Sequence, residues 1–286
     1  MPSINDFLNT PVFSSSIARI DLELLLAHAL KKNREFILAH PEREITKREG
    51  AFLLKIIAQR KKHKSIAHII AKKDFCDLTF KVNRHTLIPR PETELLVGES
   101  EKKIKTQKLN TVIDIGTGSG NIIITLAKHL KNKKINYFGI DISSKALSVA
   151  RCNAKKYNLN KKIKFITGNL LTPLSKKNFS QKTKTFIVAN LPYLSKEIYS
   201  ACAPDVKNYE PKSALYSSQE GLNHYKKLFQ QIIFLQAQLN IKNILIEFSP
   251  EQKKKLLFLI ENFFPNAKKQ FIKDLAGKWR ICAIEL

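Results

Sequence analysis

Acid is what this chain is short of. Aspartate and glutamate number 24 against 50 lysines and arginines, which leaves a formal net charge of +26 over 286 residues. The surplus favours attraction to polyanions such as nucleic acid, although an AT-rich coding sequence produces the same lysine excess and charge alone specifies no chemistry. Many of the cations fall in short runs, Lys131-Asn132-Lys133-Lys134 and Lys176-Lys177 among them, that read as solvated surface. Cysteine is scarce too. Cys76, Cys152, Cys202 and Cys282 stand far apart with no Cys-x-x-Cys pair, so unpaired thiols in a reducing cytosol are expected. The seven histidines have no metal-ligand spacing to one another or to cysteine, and no metal site is predicted. No apolar run approaches the ~20 residues of a membrane span, and Met1–Thr10 lacks the basic-then-apolar pattern of a secretory leader. A cytoplasmic location with no membrane partner is therefore expected.

What is present divides the chain in two. Residues 1–72 read as helical. Ile17, Ile20, Leu24 and Ala27 recur at helical spacing, widened by Leu25 and Leu26. Thr46-Lys47-Arg48-Glu49 fits a capping box that opens a helix through Phe52, Leu53, Ile56 and Ile57. The segment Phe75–Val82 alternates in part and is predicted to be one arm of a hairpin bridging two domains.

From residue 111 strands and helices alternate, which argues for an α/β domain with a mostly parallel sheet. Strands are predicted at Thr111–Ile115, Ile135–Ile140, Ile163–Thr167, Thr185–Ala189 and Asn243–Phe248. Two closing strands are predicted at Gln270–Lys273 and Arg280–Glu285. Helices are expected over Ile122–Leu130, Ser143–Tyr157, about Gly221–Gln238 and Pro250–Phe264.

The first of these strands runs into Gly116-Thr117-Gly118-Ser119-Gly120 and then a helix. Such a loop turns tightly and lets a ligand approach backbone amides at the helix start. Its Gly-x-Gly-x-Gly spacing is neither the dinucleotide fingerprint nor a P-loop. Asp141 ends the next strand, where an acid can accept both hydroxyls of a ribose. A second loop follows the fourth strand at Asn190-Leu191-Pro192-Tyr193. Pro192 stiffens it and pushes Leu191 away from helical dihedrals. An amide oxygen, free backbone carbonyls and a flat ring together suit a planar nitrogen substrate.

The stretch Asp114-Ile115-Gly116-Thr117-Gly118-Ser119-Gly120 resembles the first motif of the S-adenosylmethionine-dependent methyltransferases. That resemblance implies a Rossmann-like, seven-stranded sheet with S-adenosylmethionine as cofactor, held by residues 116–120 and Asp141. By the same resemblance Asn169 and Leu170 flank the adenine and Asn190 borders the cofactor. Asn190-Leu191-Pro192-Tyr193 is similar to the Asn-Pro-Pro-Tyr motif of enzymes that methylate planar amino groups. Thr86-Leu87-Ile88-Pro89-Arg90-Pro91-Glu92-Thr93-Glu94 closely resembles the signature ahead of the catalytic domain in the release factor glutamine methyltransferase family (the HemK/PrmC group). Ser65–Ile69, Tyr209-Glu210-Pro211 and Ala214-Leu215 agree with it. Departures are Leu191 for Pro, Asn169 for Asp, Ser65 for Pro, and Glu247-Phe248-Ser249 where Glu-His/Ile-Gly is usual.

The resemblance implies three parts: a helical substrate-recognition domain (1–72), a hairpin and proline linker (73–91), and a methyltransferase domain (92–286). It implies methylation of the glutamine amide nitrogen in the Gly-Gly-Gln motif of class I peptide chain release factors. In that reaction Asn190 and the Leu191 carbonyl accept the two N–H bonds, Pro192 stiffens the loop, and Tyr193 stacks on the amide. Two other readings stand beside it. Leu191 and the charge suit a nucleic-acid adenine N6-methyltransferase, and a catalytically idle module docked on the ribosome through basic surface is the third.

Overall fold

A computed structural model describes residues 2–10, 17–131, 134–175, 179–180 and 182–286. The lysine runs at 131–134 and 176–177 lie partly or wholly outside these residues. The chain forms two compact units, residues 1–72 with 203–209, and residues 73–202 with 210–286. The hairpin and proline linker, set apart on sequence, thus fold within the sheet unit, while a short segment from beyond residue 200 joins the helical one.

The helical unit is built from α1 (Ile4–Asn9), α2 (Arg19–Leu30), α3 (Arg34–Ala39), α4 (Lys47–Lys61) and α5 (Ile66–Ile70). The capping box at Thr46 forms as the sequence predicts, with Thr46 Oγ1 accepting the Glu49 amide and Glu49 Oε2 accepting the Thr46 amide. The phase of α2 agrees with expectation in part. Its buried residues are Leu22, Glu23, Leu25, Leu26, Ala27, Ala29 and Leu30, so Leu25, Leu26 and Ala27 face inward as expected, whereas Ile20 is 51% exposed. The run Leu24-Leu25-Leu26 makes the apolar stripe wide, and neighbouring helices fix where its edges fall. Tyr209 Oη donates to the Lys62 carbonyl at 2.9 Å, which fastens the 203–209 segment to this unit.

In the sheet unit, β1 (Lys72–Phe75) and β2 (Leu78–Lys81) form a two-stranded hairpin. The segment Phe75–Val82, expected to be one arm, instead holds the end of β1, the turn and all of β2. The turn falls at Cys76-Asp77, with Cys76 in the left-handed region at φ 52°. Phe75 and Phe80 are buried in the core shared with α6 (Glu92–Thr106) and α7 (Asn121–His129).

The main sheet comprises β3 (Thr111–Ile115), β4 (Asn136–Asp141), β5 (Ile163–Thr167), β6 (Thr185–Ala189), β7 (Ile241–Glu247), β8 (Lys268–Lys273) and β9 (Trp279–Glu285). Its seven strands are ordered β5-β4-β3-β6-β7-β9-β8. The first five in that order run parallel, and β9 and β8 close the sheet antiparallel. Helices α8 (Ser144–Lys156), α11 (Asn223–Leu239) and α12 (Lys253–Phe263) cover the sheet, with α9 (Lys196–Ser200) a short turn and α10 (Pro204–Tyr209) in the helical unit. Central strands alternate their side chains between two cores. Ile113, Ile115, Ile187 and Ala189 enter one, and Val112, Phe186 and Val188 enter the other. Strand order reverses between β3 and β6, so the crevice for a ligand opens at the carboxyl ends of these two strands.

Candidate active site

In-register pairing of Ile115 with Ala189 brings the glycine loop and the Asn190 loop out of the sheet side by side. Gly116, Gly118 and Gly120 all have positive φ. A Cβ on Gly116 would lie 3.0 Å from Leu191 Cδ2, and one on Gly120 would lie 2.8 Å from Ile124 Cδ1. Side chains are thereby excluded where the loops touch and where the helix turns back. Thr117 Oγ1 donates to Asp114 Oδ2 at 2.6 Å. Asp114 is wholly buried, its Oδ1 has no partner among the described residues, and burial pushes its pKa up to about 7. Asp141 accepts the Gly118 amide on Oδ2 and the Ser143 amide on Oδ1, both at 2.8 Å. Burial raises the Asp141 carboxyl as well, against these two bonds. Asn153 Nδ2 donates to the Ser119 carbonyl at 2.9 Å and to the Lys81 carbonyl at 3.0 Å, joining the loop to the hairpin.

One cleft is lined by Gly116–Ser119, Asp141, Asn169, Leu170, Asn190, Leu191 and Pro192. Of the residues singled out on sequence, only Gly120 and Tyr193 are absent from its wall. Asn169 is exposed at the rim, whereas Leu170 is buried and held at φ 53°, a left-handed conformation that costs leucine about 1–3 kcal/mol. The Leu171 amide, donating to Gln231 Oε1 at 2.7 Å, helps keep it there.

The Asn190 loop is anchored from behind. Asn190 Nδ2 donates to Thr93 Oγ1 at 3.0 Å, and Thr93 Oγ1 donates to Glu247 Oε2 at 2.7 Å. Tyr193 Oη donates to the other oxygen, Glu247 Oε1, at 3.0 Å. The Tyr193 ring therefore turns inward and packs on the core beside β6 and β7 rather than standing in the cleft. Tyr225 Oη accepts the Leu191 amide at 3.3 Å and donates to the Glu247 carbonyl. Glu247 is buried, and burial raises its carboxyl above the ordinary glutamate value, with the Thr93 and Tyr193 hydroxyls and then Arg280 working against it.

A second acid, Glu210, holds the proline linker, whose Pro89 and Arg90 line the cleft. Its Oε2 accepts the Ile88 amide at 2.9 Å and its Oε1 meets Arg90 at 2.5 Å, pinning the proline linker beside Pro211. His224 also lines the cleft, its Nδ1 2.8 Å from Ser217 Oγ. Burial keeps this imidazole below its usual value. Thr93, Glu210, His224 and Glu247 were not singled out as site residues on sequence. For Glu247 a signal existed: an acid following the unbroken apolar run Ile244–Ile246 at the end of a central strand.

A glycine loop and a polar loop meeting at the switch point of this seven-stranded sheet define a methyltransferase. Residues 106–256 match the family model described as a methyltransferase domain, and residues 14–70 match that of the PrmC N-terminal domain. The fold is also that of the N-terminal domain of human METTL16, at a TM-score of 0.55, with 16% identity over 80% of this chain and 81% of that one. More particularly, the chain belongs to the release factor glutamine methyltransferase family. It is 36% identical to the Dictyoglomus turgidum release factor glutamine methyltransferase over 267 residues, which cover 93% of this chain and 91% of that protein. Against the Bacillus cereus protein of the same name identity is 34%, over 92% and 91% of the two chains.

Proposed function

We propose that this protein transfers a methyl group from S-adenosylmethionine to the side-chain amide nitrogen of the glutamine in the Gly-Gly-Gln motif of class I release factors. The observation that carries the reading is the pairing of Ile115 with Ala189, which sets a cofactor-type glycine loop against an amide-accepting loop. The residues present suit the cofactor. Asp141 lies in the cleft wall beside the glycine cradle, and an acid there favours a cationic ligand. Residues 116–119 and Asp141 would hold it, with Asn169 and Leu170 also in the cleft wall. When bound, S-adenosylmethionine supplies the electrophilic methyl carried on its sulfonium.

What the chain itself contributes is positioning and charge. An amide nitrogen is a poor nucleophile because its lone pair is delocalised into the carbonyl. Asn190 Oδ1 and the Leu191 carbonyl accept its two N–H bonds, fix its direction and raise its electron density. The carbonyl of Leu191 makes the contact, so leucine serves where proline is usual. Tyr193, with its ring turned inward and its hydroxyl on Glu247, anchors the loop in place of the stacking role expected from sequence. The helical unit, which carries the match to the PrmC N-terminal domain, is assigned to gripping the release factor.

The test incubates the protein with methyl-labelled cofactor and either purified release factor or ribosomal RNA. Label on the Gly-Gly-Gln peptide supports the proposal, label on RNA replaces it with the adenine reading, and no label leaves the idle module. Asn190→Ala is expected to bind cofactor and lose nearly all transfer, while Asp141→Ala loses cofactor affinity. Near-normal transfer by the first variant removes the role given to Asn190.

A further inference from the structure

A hydroxyl has a single proton, and in Thr93 that proton is committed. Thr93 Oγ1 gives it to Glu247 Oε2 at 2.7 Å, so toward Asn190, 3.0 Å away, the same oxygen is only an acceptor. An acceptor at that point selects one of the two faces of the Asn190 amide. The NH2 end must turn to Thr93, which leaves Oδ1 as the end available at the cleft wall; among the described residues no donor meets it. Without Thr93 the two ends of the amide are nearly equal in shape, and a 180° flip would present a donor where the acceptor nitrogen needs an acceptor.

We propose that Glu247 is a positioning residue for methyl transfer, setting the orientation of the Asn190 amide through Thr93 and holding Tyr193 with its second oxygen. The inference rests on the reading of Asn190 as the group that receives the substrate amide. Three features of Glu247 support it. Its neighbour Ile246 pairs with Ala189, so Glu247 leaves β7 level with Asn190. Its two carboxylate oxygens take one hydroxyl each, Thr93 on Oε2 and Tyr193 on Oε1. Its backbone carbonyl accepts from Tyr225 Oη, which in turn receives the Leu191 amide. One residue on β7 thus restrains Asn190, Leu191 and Tyr193 together. A carboxylate at 1% exposure is an expensive way to stabilise a core, and an apolar side chain of similar volume commonly does as well or better. Its two side-chain hydrogen bonds are both spent on the acceptor loop and its flank.

The discriminating pair is Thr93→Val, which keeps the shape and removes the hydroxyl, and Thr93→Ser, which keeps the hydroxyl. Thr93→Val is expected to lower kcat for release factor methylation about 10- to 100-fold. Cofactor Kd by calorimetry and KM for the release factor should stay near wild type, and Thr93→Ser should recover most of the kcat. Glu247→Gln should lose kcat similarly, and combining it with Thr93→Val should add little, since both cut one chain of contacts. An independent readout uses protein 15N-labelled at asparagine side chains. The Asn190 NH2 resonances, identified by their absence in Asn190→Ala, should exchange with solvent faster in Thr93→Val than in wild type or Thr93→Ser. Wild-type kcat in Thr93→Val, a Thr93→Ser variant as slow as Thr93→Val, or unchanged Asn190 exchange would each overturn the relay. Failure of the wild-type protein to label the release factor would instead overturn the functional reading, and the exchange measurement stands apart from it.

Discussion

Replacing Gly221 with alanine tests whether the acceptor loop is held as tightly as its contacts indicate. Gly221 sits at φ 88°, and a Cβ there would lie 2.0 Å from the Tyr193 carbonyl oxygen and 2.1 Å from Gln252 Nε2. That same Nε2 donates to the Tyr193 carbonyl at 2.8 Å and to the Glu220 carbonyl at 2.7 Å, so the added methyl strikes the clamp itself. Two costs separate cleanly. Left-handed backbone costs alanine about 1–2 kcal/mol. Relieving the overlap requires a backbone carbonyl to move by more than about 1 Å to reach an ordinary carbon–oxygen contact of ~3.3 Å, which as overpacking costs about 1–3 kcal/mol more.

Gly277→Ala is the control, because Gly277 has φ 76° and nothing within 4 Å of its added Cβ. It should show the backbone cost alone. For a domain of this size each kcal/mol lowers Tm by about 2–4 °C, so Gly221→Ala should melt roughly 2–12 °C below Gly277→Ala by scanning calorimetry. Turnover should separate the two further. A shift of about 1 Å in the loop carrying Asn190 is expected to cost ~100-fold in kcat, with cofactor binding retained. Gly277→Ala should turn over like wild type. If the two variants melt and turn over alike, the clamp between Gln252 and Tyr193 does not hold the acceptor loop.

Gly98 lies on the exposed side of α6 with nothing within 4 Å of an added Cβ, so Gly98→Ala should stabilise by about 1 kcal/mol and raise Tm by a few degrees; a lower Tm contradicts this. His129 bridges Asp77 and Glu101, its ring nitrogens each 2.6 Å from a carboxylate oxygen. Burial lowers its pKa, but the Asp77 and Glu101 bonds outweigh it and leave the imidazole raised. A raised folded value gives stability that is fully present below the unfolded imidazole value of about 6.5 and lost as pH climbs through the folded one. The Tm advantage of wild type over His129→Gln should therefore be largest near pH 6 and shrink toward pH 9, and a pH-independent advantage would count against the bridge.

How far the sequence reached depended on how local the information was. Strand limits at Thr111–Ile115, Ile163–Thr167 and Thr185–Ala189 follow from short apolar runs closed by glycine or polar residues, and these agree with the fold. The inward face of α2 was legible in part: Leu25, Leu26 and Ala27 are buried as the spacing predicts, while Ile20 is exposed and Leu22, Ala29 and Leu30 complete the face that packing selects. The hairpin was misjudged. Cys76-Asp77 is no standard turn pair, so nothing local marked the reversal between Phe75 and Leu78, where Cys76 takes a left-handed conformation.

By itself the sequence determined the elements and the chemistry on offer: the family signature ahead of β3, a glycine loop after β3, and an amide and a proline after β6. Only the tertiary structure decided how those groups are aimed. Thr93, Asn190 and Glu247 are separated by up to 154 positions along the chain yet form one hydrogen-bonded line, and no local pattern encodes a contact of that range. The physical reason is that register between parallel strands, set by the packing of two cores, fixes which loop ends become neighbours. A hydrogen-bond direction then follows from the donors and acceptors that meet there.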